Sequence, residues 1–94
     1  MRNYEVVLIA QADLDETTLK SVVEKVSAWI TESGGAVDKV DVWGKRRLAY
    51  RIRKQREGIY VLLNAQMAPA FTRELERNLQ FLEPIMRFMV TVAA

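Results

Sequence analysis

Two residue types are missing from this 94-residue chain altogether: it has no cysteine and no histidine. Without cysteine there is neither a disulfide framework nor a thiolate metal site. Without histidine the commonest general base and metal ligand is gone. Proline falls to two residues and glycine to four, and no repeat, linker or low-complexity segment interrupts the chain. Long apolar runs are absent as well. The N-terminal run from Val6 to Ala10 is too short for a signal segment and far too short to span a bilayer. These absences predict a soluble, cytoplasmic chain with no membrane contact, no cofactor and no small-molecule substrate. Half of the residues are apolar and 28% are charged, which suits a globular fold. The length suits one core, so residues 1–94 are expected to form a single domain.

What the chain does have is a concentration of positive charge. Between Trp43 and Tyr60 stand Lys45, Arg46, Arg47, Arg51, Arg53, Lys54 and Arg56, against the single acid Glu57. The stretch carries +6 in a chain whose total is +2, leaving −4 for the remainder. Such a local patch can grip a polyanion while the rest of the surface does not. Basic edge strands also serve to keep sheets from pairing with one another. Seven cations within twelve residues, set against an acidic remainder, exceed what that protection needs and point to nucleic acid.

The flanking pattern predicts a β-α-β-β-α-β order. Arg2 to Ala10 is β-branched and aromatic and reads as a central strand. Asp13 with Glu16 forms a capping box that opens a helix. Capping and the helix dipole account for Asp13, Asp15 and Glu16 more economically than a metal site does. Leu19, Val22, Val23, Val26 and Ile30 share one helical face with Trp29 at its border, and Gly34-Gly35 ends the helix. A second strand runs from Ala36 to about Lys54, with Gly44 marking a bend or bulge. Gln55 to Gly58 reads as a turn and Ile59 to Met67 as the third strand. Pro69 suits the first turn of a second helix whose buried stripe is Phe71, Leu75, Leu79 and Leu82. Pro84 stops it before a last strand, Ile85 to Val92. Right-handed crossovers arrange the strands as 4-1-3-2 with both helices on one face, the ferredoxin-like α+β fold.

Burying Glu5 without a partner is costly, so the opposite side of the first strand should face the helices. That places Tyr4, Val6 and Leu8 inside. The same alternation sends in Val40, Val42, Leu48, Tyr50 and Ile52, then Ile59, Val61, Leu63 and Ala65, and finally Met86, Phe88, Val90 and Val92. The open face then carries Glu5, Trp43, Lys45, Arg47, Arg51, Arg53, Tyr60, Asn64 and Arg87. It also carries Val7, Ile9, Leu62 and Met89, an apolar patch flanked by cations that reads as a protein-partner face.

Fold alone does not fix function. No nucleophile-and-base pair or ligand cluster stands out among the scattered carboxylates and hydroxyls, so no enzyme is expected. An RNA-recognition motif fits fold and charge, but that module stacks bases on aromatics of its two central strands. Here those strands offer Val7, Ile9 and only Tyr60, so binding is expected to rest on charge and shape.

The opening RNYE, the stretch AQADLDE, the GG pair and above all VDKVDVWGKRRLAYRIRKQREGIYVLL resemble the bacterial small-subunit ribosomal protein S-six family. The string G-K-R-R-L-A-Y, then I-x-K, then G-x-Y, is long and specific, and the resemblance runs nearly the full length. The family's usual proline after L-A-Y is Arg51 here, which restores a backbone donor and adds a cation. The resemblance implies a structural, non-catalytic component of the small ribosomal subunit. It also implies binding to the central domain of small-subunit ribosomal RNA as a heterodimer with ribosomal protein S-eighteen. By position, Arg2, Lys45, Arg46, Arg47, Arg51, Arg53, Lys54, Arg56 and Arg87 are the RNA-binding candidates.

Overall fold

The apolar alternation of the first strand is realised as β1, Arg2–Gln11, in a computed structural model that describes residues 1–52 and 54–93. After it come α1 (Glu16–Glu32), β2 (Ala36–Ile52), β3 (Gln55–Met67), α2 (Phe71–Gln80) and β4 (Ile85–Val92). The strands pair antiparallel in one sheet of order β2-β3-β1-β4, which is the expected 4-1-3-2 read from the other edge. β1 lies between β3 and β4, and its inward side chains Tyr4, Val6, Leu8 and Ala10 are buried.

Helix α1 starts two residues later than the capping-box pattern suggested. Asp15, not Asp13, is the N-cap, and its Oδ1 accepts the Thr18 backbone N–H at 2.7 Å. With Asp15 capping, Leu14 and Leu19 occupy the positions of a hydrophobic staple, and both pack against the core. Burying that pair outweighs the reciprocal bond the Asp13–Glu16 spacing offered. At the other end Gly34 takes φ 95, a left-handed conformation costly for any residue with a Cβ. The Gly34 and Gly35 N–H groups donate to Thr31 and Ile30 carbonyls, both at 3.0 Å, closing the helix as expected.

Pro69 sits in the turn just ahead of α2 rather than in its first turn, and the Thr72 hydroxyl donates back to the Pro69 carbonyl at 2.7 Å. The expected stripe is present: Leu75 and Leu79 are fully buried, with Phe71 and Leu82 half-buried beside them. These pack with Val22, Val26 and Ile30 of α1 against the inward side chains of β1 and against Ile59, Val61, Leu63, Ala65 and Met67 of β3. Helix α1 reaches edge strand β2 but covers it only in part. Val40 and Val42 stand opposite Leu63 and Val61 and so face the helix side, yet they remain 40% and 54% exposed.

In β4 the register shifts between Ile9 and Ala10, so Ile85 pairs with Ala10 and Arg87 with Ile9. Met86 is the extra residue. It was expected inside, but Ile85 takes the core position, and Met86 Cε lies with Ile9 Cγ2 over the bare Cα of Gly58. Phe88 and Val90 pack against the core as expected, whereas Val92 is 60% exposed opposite Tyr4. Among the described residues no helix is long and apolar enough to cross a membrane.

Candidate nucleic-acid interface

The basic stretch forms the far half of the β2–β3 hairpin. Arg46 pairs with Gly58 and Arg47 with Glu57, while Gly58 is also the partner of Gln11, the last residue of β1. Beyond that point the hairpin continues past the last residue of β1, and its Leu48–Ile52 segment bends back over the open face. Residues 55–58, read as a turn, are therefore strand; the reversal lies around Lys54, which takes φ 64. Gln55 is held from the side, its Oε1 accepting the Ala12 N–H at 3.4 Å. Arg53, among the candidates, lies outside the described residues.

Breaks in register decide what each side of this hairpin shows. Val42 pairs with Val61 and Gly44 with Tyr60, so Trp43 has no partner of its own and Gly44 turns to φ 85. Nothing stands within 4 Å of where a Gly44 Cβ would be, so the conformation and not crowding calls for glycine there. A one-residue bulge swaps the faces of the residues that pair after it, here as far as Arg47. Lys45 and Arg47 now stand opposite Ile59 and Glu57, on the helix side. A second register break follows between Arg47 and Ile52, and Leu48, Tyr50 and Ile52, expected in the core, instead lie over the open face.

There they form, with Val7, Ile9, Tyr60, Phe88 and Met89, a hollow of about 300 Å³. Arg87 closes one side: its guanidinium lies 5.5 Å from the Tyr50 ring centroid and donates to the Tyr50 hydroxyl. The proposed protein-partner residues are thus brought together. Val7 pairs with Leu62 on one side and Met89 on the other, and Ile9 follows two residues along. The Leu48–Ile52 segment partly covers this patch, which the sequence reading did not anticipate; Tyr50 itself stays 60% exposed.

Lys45, Arg46, Arg47, Arg51, Lys54, Arg56 and Arg87 are all exposed. Among the described residues the ion pair is Lys39 with Asp41 at 3.4 Å, so these cations are not neutralised by neighbours. Arg2 is exposed too, but it pairs with Met67 at the end of the sheet remote from the hairpin tip. About 30 Å of extended strand separates the two ends, so Arg2 stands apart from the cluster.

One feature was missed in the sequence. The Trp43 and Tyr60 rings stack, their centroids 6.3 Å apart and their planes 8° from parallel, with Trp43 48% exposed. The sequence placed both Trp43 and Tyr60 on the open face, but reading base stacking from the two central strands alone left out that the edge-strand ring stacks on Tyr60. The Trp43-Gly44 pair was the signal that marks it.

Four antiparallel strands with two helices on one side make this a ferredoxin-like α+β protein, and the comparison with solved structures narrows that class to ribosomal proteins of the fold. The chain resembles the crystal structure of 30S ribosomal protein S6 from Thermotoga maritima at a TM-score of 0.91 and 30% identity, covering 98% of this chain and 87% of that one. The family model described as Ribosomal protein S6 matches residues 3–91. Relatives named small ribosomal subunit protein bS6 are similar over nearly the full length. That of Moorella thermoacetica is 47% identical over 91 residues, 97% of this chain and 93% of the relative. That of Cutibacterium acnes is 51% identical over 90 residues, 96% and 94% of the two chains. The chain belongs to the ribosomal protein S6 family.

Proposed function

We propose that this chain binds the central domain of small-subunit ribosomal RNA together with ribosomal protein S-eighteen, as a heterodimer. The coarser role comes with the family: a structural, non-enzymatic protein of the small ribosomal subunit, and hence of the cytoplasm. The observation that carries the finer reading is a cluster of un-neutralised cations at the end of the hairpin, beside a sheet face that the helices leave bare.

The two surfaces suit different partners. Lys45, Arg46, Arg47, Arg51, Lys54, Arg56 and Arg87 supply charge for phosphates, with Arg2 at a separate point and Arg53 belonging to the same run of sequence. Val7, Ile9, Leu62 and Met89 offer apolar area that phosphates cannot use and a second protein can cover. Because −4 of charge lies outside the Trp43–Tyr60 stretch, long-range attraction for RNA is weak. A basic partner docked on the open face removes apolar surface from water and adds positive charge on the RNA-facing side. Binding of the two proteins is then cooperative, since each completes part of the other's site.

Val7→Asp tests this by placing a charge on the open face while the buried side chains of β1 stay as they are. It should weaken pairing with S-eighteen and, through it, joint binding to a central-domain RNA fragment, with the fold retained. Equal RNA affinity of this chain with and without S-eighteen would overturn the cooperative reading.

A further inference from the structure

The strongest feature that phosphate contacts and a covered apolar face leave unexplained is the Trp43–Tyr60 pair. The two near-parallel rings and the Arg46 and Arg47 side chains line one open hollow of about 450 Å³ on the hairpin flank. From these residues we propose that Trp43 and Tyr60 form a stacking site for an unpaired RNA base, with Arg46 and Arg47 taking its flanking phosphates. The inference rests on the RNA reading above and adds a contact to the base itself.

Three observations favour a nucleotide here. Trp43 is the residue that the bulge expels from the ladder, and the Gly44 backbone at φ 85 holds it there. An indole left 48% exposed on a strand, with its neighbour already stacked, gives a planar apolar surface of the kind bases use. Neither guanidinium is in an ion pair among the described residues. Glu57 stands across from Arg47 in register without pairing to it, and Arg46 faces Gly58. A neutral protein surface laid on this spot would strip water from two arginines and return no charge, whereas a nucleotide brings a phosphate with its base. Any base serves, because every base has a π-face. The site therefore strengthens binding to unpaired RNA without reading sequence.

The test uses the full chain at low salt and two fluorescein-labelled probes: octa-adenylate, and an abasic octamer with the same phosphates but no bases. Fluorescence anisotropy should give tighter binding of octa-adenylate. Trp43→Ala should weaken octa-adenylate binding by about tenfold and leave the abasic octamer within about twofold. Trp43→Phe should recover much of the loss, and the far-ultraviolet circular dichroism of all three proteins should match. Equal binding of the two probes by the wild-type chain would overturn the stacking site while leaving the phosphate contacts intact. Failure of both probes to bind would overturn the stacking site and the hairpin's RNA role together. If Trp43→Ala left octa-adenylate unaffected but weakened pairing with S-eighteen, the hollow would be a protein contact and the proposal wrong.

Discussion

Gly44 shows how much one residue decides. The alternation of Leu48, Tyr50 and Ile52 with cations was plain in the sequence, and so was the break at Gly44. What the pattern could not carry was phase: alternation continued straight through sends those three side chains to the core, whereas the extra residue at Trp43 and a second register break between Arg47 and Ile52 leave them over the open face. A similar limit applies at Asp15. Two acids lay at plausible cap positions, and the choice fell to the one that let Leu14 and Leu19 pack. Hydrogen bonding from the Thr18 side chain, and then from its backbone N–H, holds the exposed Asp15 carboxyl below its ordinary value. A carboxylate whose pKa is lower folded than unfolded adds stability above the unfolded value, and that stability is lost as pH falls through the lowered one. Asp15→Asn keeps an acceptor at the cap but removes the titration. Denaturation midpoints measured from neutral pH into acid should fall less for Asp15→Asn than for wild type across that window. Parallel curves would contradict the cap assignment.

At the scale of elements, β1, α1, β3 and α2 were legible because each buries a stripe at its own period. Val6 and Leu8 alternate, Val22, Val26 and Ile30 recur each helical turn, and Leu75 and Leu79 follow suit. The hairpin was less so. Arg56 and Glu57 look like turn residues, and no local signal says that Gly58 pairs with Arg46 rather than starting a reversal. Met86 failed for a related reason: its alternation with Phe88 is real, but a register shift against β1 gives the core position to Ile85. The division between packing and binding surfaces is open to test by urea denaturation. Leu75→Ala, in the fully buried face of α2, should cost about 2–5 kcal/mol through lost burial and a cavity. Arg47→Ala, exposed on the hairpin, should stay within about 0.5 kcal/mol of wild type. The opposite ordering would mean that the buried and binding sides are interchanged.

For the whole molecule, the notable property is where its charge lies. Net +2 hides a +6 stretch from Trp43 to Tyr60 and an acidic remainder, so attraction to a polyanion is directed through one end of the hairpin. The charge cluster could be read directly from the sequence. The hollow that closes beneath Tyr50 and Arg87 could not, because it depends on the bulge and on two strands meeting across the sheet. The family supplies the setting, the small ribosomal subunit, and the geometry supplies the division of labour proposed within it. The central claim is that the hairpin cations bind RNA phosphates, and the salt dependence of binding tests it most directly. The affinity of this chain paired with S-eighteen for a central-domain RNA fragment would be measured across a salt series, for wild type and for Arg51→Ala with Arg56→Ala. For each phosphate that no longer has its arginine, the slope of log K against log salt should shrink by roughly 0.7–0.9, with pairing to S-eighteen unchanged. A slope the same as wild type in the double variant would contradict the account.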